Sequence, residues 1–163
     1  MKDGNLVHGY ANAAFANNES SHSTTGYVFK SFKGAITWRL WKQNLIVHSS
    51  TEAEYIALSE AAREAAAAWL HNLYLELGFH QPEPITIFGD NDGSREMANN
   101  PQFHKCTKHI EIRYHSIREQ IQKRYICVEP IRDPDQTADI LTKVLFKPKH
   151  KKCTAKLGIA YLA

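Results

Sequence analysis

At 163 residues, with 43% hydrophobic and 23% charged side chains, the chain has the make-up of a soluble globular domain able to bury a core without staples. A net charge of +3 is too small to imply a nucleic-acid partner by itself, and an odd set of three cysteines without a C-x-x-C pair argues for a reducing compartment over a disulfide scaffold. No apolar run is long enough to span a bilayer and the N-terminus has no signal-peptide core, so the expectation is an intracellular protein with no membrane partner.

Leu6–Phe15 is compatible with a strand, with Val7, Tyr10, Ala13 and Phe15 available for a core. Asn17-Asn18-Glu19-Ser20-Ser21 is a turn by composition. Thr24–Phe32 alternates around Tyr27, Phe29 and Phe32 and is predicted as a strand. Lys33-Gly34 turns it into Ala35–Leu40, with Ile36 and Trp38 on one side and Trp38 assigned to the core. Leu45-Ile46-Val47 is predicted as a third or continued strand, completing an antiparallel meander.

The stretch Ser49–Ala62, SSTEAEYIALSEAA, opens a helix predicted to run to Leu77, with Gly78 as its stop. Leu58, Ala62, Ala65, Trp69, Leu73 and Leu77 form its apolar stripe, and Glu60, Arg63, Glu64 and His71 its polar side. Glu52 falls on the polar side and Glu54 on the apolar side, where a carboxylate is costly unless something pairs with it. Two readings of Glu54 stand at this point. One is a capping box, Thr51-x-x-Glu54; the other is a functional carboxylate.

Beyond Pro82 and Pro84, Ile85-Thr86-Ile87-Phe88 is a short strand that delivers Gly89-Asp90-Asn91 at its end. A helix through Arg95–Ala98 stops at Asn99-Asn100-Pro101, and Thr107–Lys123 has helical spacing at Ile110, Tyr114, Ile117 and Ile121. Tyr125–Val128 is predicted as a strand. Asp133-Pro134-Asp135 turns into a helix from Gln136 to Leu145, with Asp135 as its N-cap. Lys143, Lys147, Lys149, Lys151, Lys152 and Lys156 crowd the end of the chain, about 146–163, as a solvated basic segment or a phosphate contact. No repeat or low-complexity linker intervenes, so 1–163 is taken as a single α/β domain: a mixed sheet, three antiparallel strands first, flanked by helices.

Three acidic residues share a kind of context. Glu54 begins a helix on its buried side, Asp90 ends a strand where open α/β sheets place their ligands, and Asp139 stands in the first turns of a sheet-packing helix. Carboxylates converging on a sheet edge suit hard divalent cations such as Mg²⁺. His104, Cys106, His109 and His115 match no zinc-finger spacing, so zinc is not expected. Ser49 and Ser50 lack an oriented His–Asp pair and serve as helix caps.

Several ordered segments carry a resemblance that runs almost end to end: Gly26-Tyr27-Val28-Phe29, Ala35-Ile36-Thr37-Trp38, Ser49–Tyr55, Asp90-Asn91, Thr107–Ile110, Ile112–His115 and Ala138–Lys143. The chain resembles the ribonuclease H domain at the C-terminal end of copia-type retrotransposon polyproteins. The resemblance implies a five-stranded mixed sheet flanked by helices, and Mg²⁺-dependent cleavage of the RNA strand of an RNA–DNA hybrid, with Mn²⁺ as a substitute. It also implies two ions, the reverse transcriptase domain of the same polyprotein as a partner, and a cytoplasmic (virus-like particle) or nuclear location. It makes Glu54, Asp90 and Asp139 catalytic metal ligands.

The first carboxylate of that set belongs in the first strand, in a Tyr-x-Asp context that here reads Tyr10-Ala11-Asn12. An amide keeps the shape and one acceptor oxygen but loses the charge, so an impaired nuclease is expected. A non-catalytic module that binds nucleic acid or protein is the alternative. Trp41, Lys108, Arg113 and Lys143 are the candidates for nucleic-acid contact: Trp41 by stacking, the cations on phosphate.

Overall fold

Val7–Ala14, strand β1, is buried along most of its length. Val7, Ala11 and Ala13 join the larger apolar cluster on one face of the sheet, while Tyr10 joins a smaller cluster on the other. Successive side chains of a strand alternate between faces, so a strand apolar on both must sit in the middle of a sheet covered on both sides. It does. Strands β2 (Thr24–Ser31) and β3 (Gly34–Lys42) extend the sheet antiparallel from one edge of β1. Strands β4 (Ile85–Gly89) and β5 (Ile126–Pro130) extend it parallel from the other, giving the order β3-β2-β1-β4-β5. The expected five-stranded mixed sheet, antiparallel strands first, is therefore present. The computed structural model describes residues 7–16, 21–65, 68–79, 84–100 and 116–159, and of 68–71 the backbone alone. The turn predicted around Asn17–Ser21 and the helix from Thr107 fall largely outside these residues; 116–122 is helical.

Helix α1 (Ser50–Ala65) lies on β1 and β2 and is buried from Ala53 to Ala62 almost without a break. Glu60, expected on its polar side, is buried too and is paired by Arg63. The long predicted helix resolves into α1 and a separate α2 (Ala68–Glu76), with 66–67 outside the described residues. Leu58, Ala62 and Ala65 face the core as expected, but Leu73 and Leu77 are exposed and Tyr74 takes the buried place. A single helical phase does not carry across two separate elements. At the far end Gly78, at φ +77°, closes α2. Its N–H donates to Leu75 O, and that of Phe79 to Tyr74 O, the pairing that left-handed glycine makes at helix ends.

Two further expectations are corrected. Ile36 and Trp38 point away from the main core, and Trp38 is 60% exposed. Period 2 separates the two faces of a strand without saying which is inward. On edge strand β3 it is Thr37 that faces α1, bonding Glu64, and Trp41 that packs on the core cluster. Leu45-Ile46-Val47 is not a strand. The Gln43 side-chain amide donates to Thr25 Oγ1 and Ala53 O, and its main-chain N–H to Ser23 O, which turns the chain off the sheet and into α1.

The C-terminal region also departs from expectation. Asp135 does not cap a helix from Gln136 to Leu145; Asp133–Asp135 is a single 3₁₀ turn, and helix α5 spans only Asp139–Thr142. Gln136 is buried, donating to Ala11 O and accepting from Ala138 N–H, so its own extended insertion displaces the helix start. After α3 (Asp92–Asn99) and α4 (116–122), the last element is α6 (Lys147–Lys156), with Pro148 in its first turn. The basic segment is thus largely an ordered helix.

Candidate active site at the carboxyl ends of β1 and β4

Because β1 and β4 run parallel, Asn12 and Asp90 arrive at the same edge of the sheet. Helix α1 adds Glu54 to this edge, and its capping explains how. Ser49 Oγ accepts from Glu52 N–H, and the Glu52 carboxylate accepts from His48 N–H, so the cap belongs to Ser49 and Glu52. Glu54 is left to turn onto the sheet, where its Oε2 accepts from Ala13 N–H at 2.9 Å. Asp90 is released in the same way, since Asn91 caps α3 by accepting from Ser94 N–H. The capping-box reading of Glu54 is set aside.

Asp139 reaches the edge from α5, on the sheet face opposite α1. It is fully buried, with Lys143 Nζ 2.8 Å from Oδ1 and Lys149 Nζ 2.5 Å from Oδ2. Lys149 also holds Asp133 at 3.1 Å, while Lys152 and Lys156 hold Asp135. Asn12, likewise fully buried, donates from Nδ2 to Thr142 Oγ1 on α5. Its Oδ1 is a buried acceptor with no donor among the described residues. Gly26 permits this docking: a Cβ there would fall 2.8 Å from Thr142 Cγ2 and 2.9 Å from Leu141 Cβ.

The three carboxylates are close enough to act on one another. Burial pushes the Glu54 carboxyl up to about 8, Asp90 and Asp139 adding to the effect and the Ala13 N–H and Lys143 opposing it. Burial raises Asp90 as well, with Asp139 assisting and Lys143 opposing. Burial draws Lys143 and Lys149 toward the neutral amine, but their bonds to Asp139 outweigh it and both are raised. At neutral pH Glu54 therefore holds its proton, while Asp139 is paired by two lysines.

The donor chemistry suits a hard cation: Glu54, Asp90 and the free Oδ1 of Asn12 are all oxygens. The arrangement does not suit a pair of ions. Asn12 brings no charge, both oxygens of Asp139 are engaged by lysines, and no group of three His, Cys, Asp or Glu side chains stands in a metal-holding arrangement among the described residues.

The nucleic-acid candidates scatter. Trp41 lies in the cross-strand row Ala13–Thr25–Trp41, two strands from the cluster. It is half-buried, edge-on to Tyr27, with the Arg39 guanidinium 4.7 Å from its ring. With Arg39, Gln43, Glu60 and Arg63 it lines a cavity of about 230 Å³. Lys143 faces the carboxylates. Lys108 and Arg113, with His104, Cys106, His109 and His115, lie outside the described residues. Sequence reasoning missed Thr142, Gln136 and Lys149. None of the three has a local signal, because each acts on a residue distant in the chain.

No protein-family model matches the chain. It is 36% identical over 155 residues, 94% of its length, to the retrovirus-related Pol polyprotein from transposon TNT 1-94 of Nicotiana tabacum, and spans 11% of that polyprotein. Among solved structures it is similar to RNase H1 from the halophilic archaeon Halobacterium salinarum NRC-1, with a TM-score of 0.59 and 18% identity over 83% of this chain and 93% of that one. It is also similar to the foamy viral protease-reverse transcriptase in complex with RNA/DNA hybrid, with a TM-score of 0.60 and 19% identity over 85% of this chain and 20% of that one.

Proposed function

The chain belongs with the retrovirus-related Pol polyproteins of plant transposons and has the ribonuclease H-like fold, and from that premise we propose that it is the ribonuclease H domain of a copia-type retroelement, impaired at Asn12. The observation that carries the proposal is the meeting of Glu54, Asp90 and Asp139 around Asn12 at one sheet edge. The proposed substrate is the RNA strand of an RNA–DNA hybrid, gripped through backbone and 2′-hydroxyl groups. The proposed partner is the reverse transcriptase domain of the same polyprotein, and the proposed cofactor is Mg²⁺, with Mn²⁺ able to replace it.

Glu54, Asp90 and Asn12 Oδ1 would hold a divalent ion here, and its chemistry would be the activation of water and the stabilisation of a leaving oxygen. What this chain's residues contribute is more limited. Glu54 is fastened to β1 through Ala13, Asp90 is held at the β4 terminus, and Asn12 fills the central place without its charge. That neutral centre and the lysines on Asp139 favour a second reading, a non-catalytic module that binds nucleic acid.

An Asn12→Asp variant separates the two. As a ribonuclease H domain it cuts the RNA strand of a labelled hybrid in Mg²⁺ and spares duplex DNA, and adding Glu54→Gln removes the cutting. A folded Asn12→Asp protein that binds hybrid and cuts neither strand would leave the binding module standing instead.

A further inference from the structure

We propose that Lys149, reaching from α6, is a positioning residue that competes with a divalent cation for Asp139. The inference rests on the reading of the cluster as a metal site and concerns which of this chain's residues tune it. Asp139 has no exposed surface, so a cation can reach only oxygens that already carry ammonium groups, Lys143 on Oδ1 and Lys149 on Oδ2. A Mg²⁺ ligated directly by Asp139 would stand about 2.0–2.1 Å from its oxygen, closer than either nitrogen stands, and two ammonium groups beside it would repel it. Ligation of a metal by Asp139 therefore displaces at least one lysine.

Lys149 is the one with somewhere to be held. Lys143 sits four residues from Asp139 on the same short element, whereas Lys149 comes from a separate helix and is steadied by Asp133. Helix α6 is in turn fastened by Lys152 and Lys156 on Asp135, itself in the 3₁₀ turn that leads into α5. The fastening keeps Lys149 in register with Asp139 whether or not Lys143 swings away. Replacing Lys149 by an uncharged residue of similar length removes the competitor and leaves the Lys152 and Lys156 contacts in place.

The test is calorimetric titration of Mg²⁺ into the Asn12→Asp protein, and into the same protein carrying Lys149→Met or, as an exposed α6 control, Lys151→Met. Circular dichroism checks that each is folded. The expected result is tighter Mg²⁺ binding with Lys149→Met, about tenfold, the equivalent of one modest charge contact, and no change with Lys151→Met. Equal or weaker affinity with Lys149→Met overturns the inference. If the Asn12→Asp protein itself binds no Mg²⁺, the metal-site reading fails and the inference falls with it. Binding by Asn12→Asp without tightening by Lys149→Met sinks the inference alone. Should Lys149→Met not fold, lysine side-chain resonances of the Asn12→Asp protein decide: Mg²⁺ must shift the Lys149 signal and spare that of Lys151, and a stationary Lys149 signal refutes the competition.

Discussion

Glu54 enters the cluster from α1 and Asp139 from α5, on opposite faces of the same sheet edge, and both carboxylates are buried. Glu54 is given one N–H and a neighbouring carboxylate, Asp90; Asp139 is given an ammonium group on each oxygen. Burial is therefore shared and counter-charge is not. Glu54 resists ionising, whereas Asp139, paired with Lys143 and Lys149, ties α5 to α6. Removing the charge from the two positions should change stability in opposite directions.

The largest effect belongs to Asp139→Ala, which leaves Lys143 and Lys149 facing each other and should cost about 3–5 kcal/mol at pH 7, as breaking one side of a buried pair does. Urea unfolding measures it; a neutral result would mean that the lysines do not hold Asp139 in solution. Glu54→Gln should do the reverse and stabilise, by on the order of 2–4 kcal/mol at pH 8. The sign follows from the folded carboxyl keeping its proton to about 8 when the unfolded one releases it near 4.5. The wild-type contribution is fully present below about 4.5 and is lost as pH rises to about 8, so the gain from Gln appears over that window. A pH-independent difference between the two proteins would contradict the burial of Glu54. Smaller again is Gly26→Ala, which should cost about 1–3 kcal/mol by pushing Leu141 and Thr142 off the sheet. It sharpens the contrast if the pH slope due to Glu54 survives unchanged.

The sheet was legible because Thr24–Phe32 and Ala35–Leu40 alternate and Ile85–Phe88 is a short apolar run, and Glu54 and Asp90 were legible because one falls on the apolar side of its helix and the other at the end of a strand. The facing of β3 was not, since Ile36 and Trp38 alternate with Thr37 and Arg39 in a way that suits either side. Asp139 stood out by its context, but its clamp did not. Lys149 lies ten residues on, in a run of lysines with the composition of a solvated segment. The Lys152 and Lys156 contacts to Asp135 and the buried Gln136 after it bring that run back over the cluster, and a glutamine after an Asp-Pro-Asp turn carries no sign that it will insert. Long-range placement of charge depends on tertiary contacts that no local pattern encodes.

Asn12 joins the two halves, since its side chain shares the Tyr10 face of β1 and bonds Thr142 on the Asp139 side, while the next residue, Ala13, holds Glu54 through its N–H. Its missing charge is the central claim. Single-turnover cleavage of a labelled RNA–DNA hybrid in Mg²⁺, by the chain as it stands and by Asn12→Asp, tests that claim most directly. The variant should be faster by at least roughly a hundredfold, the upper end of what losing an outer partner of a metal ligand costs. Equal rates would show that the site does not depend on a carboxylate at this position.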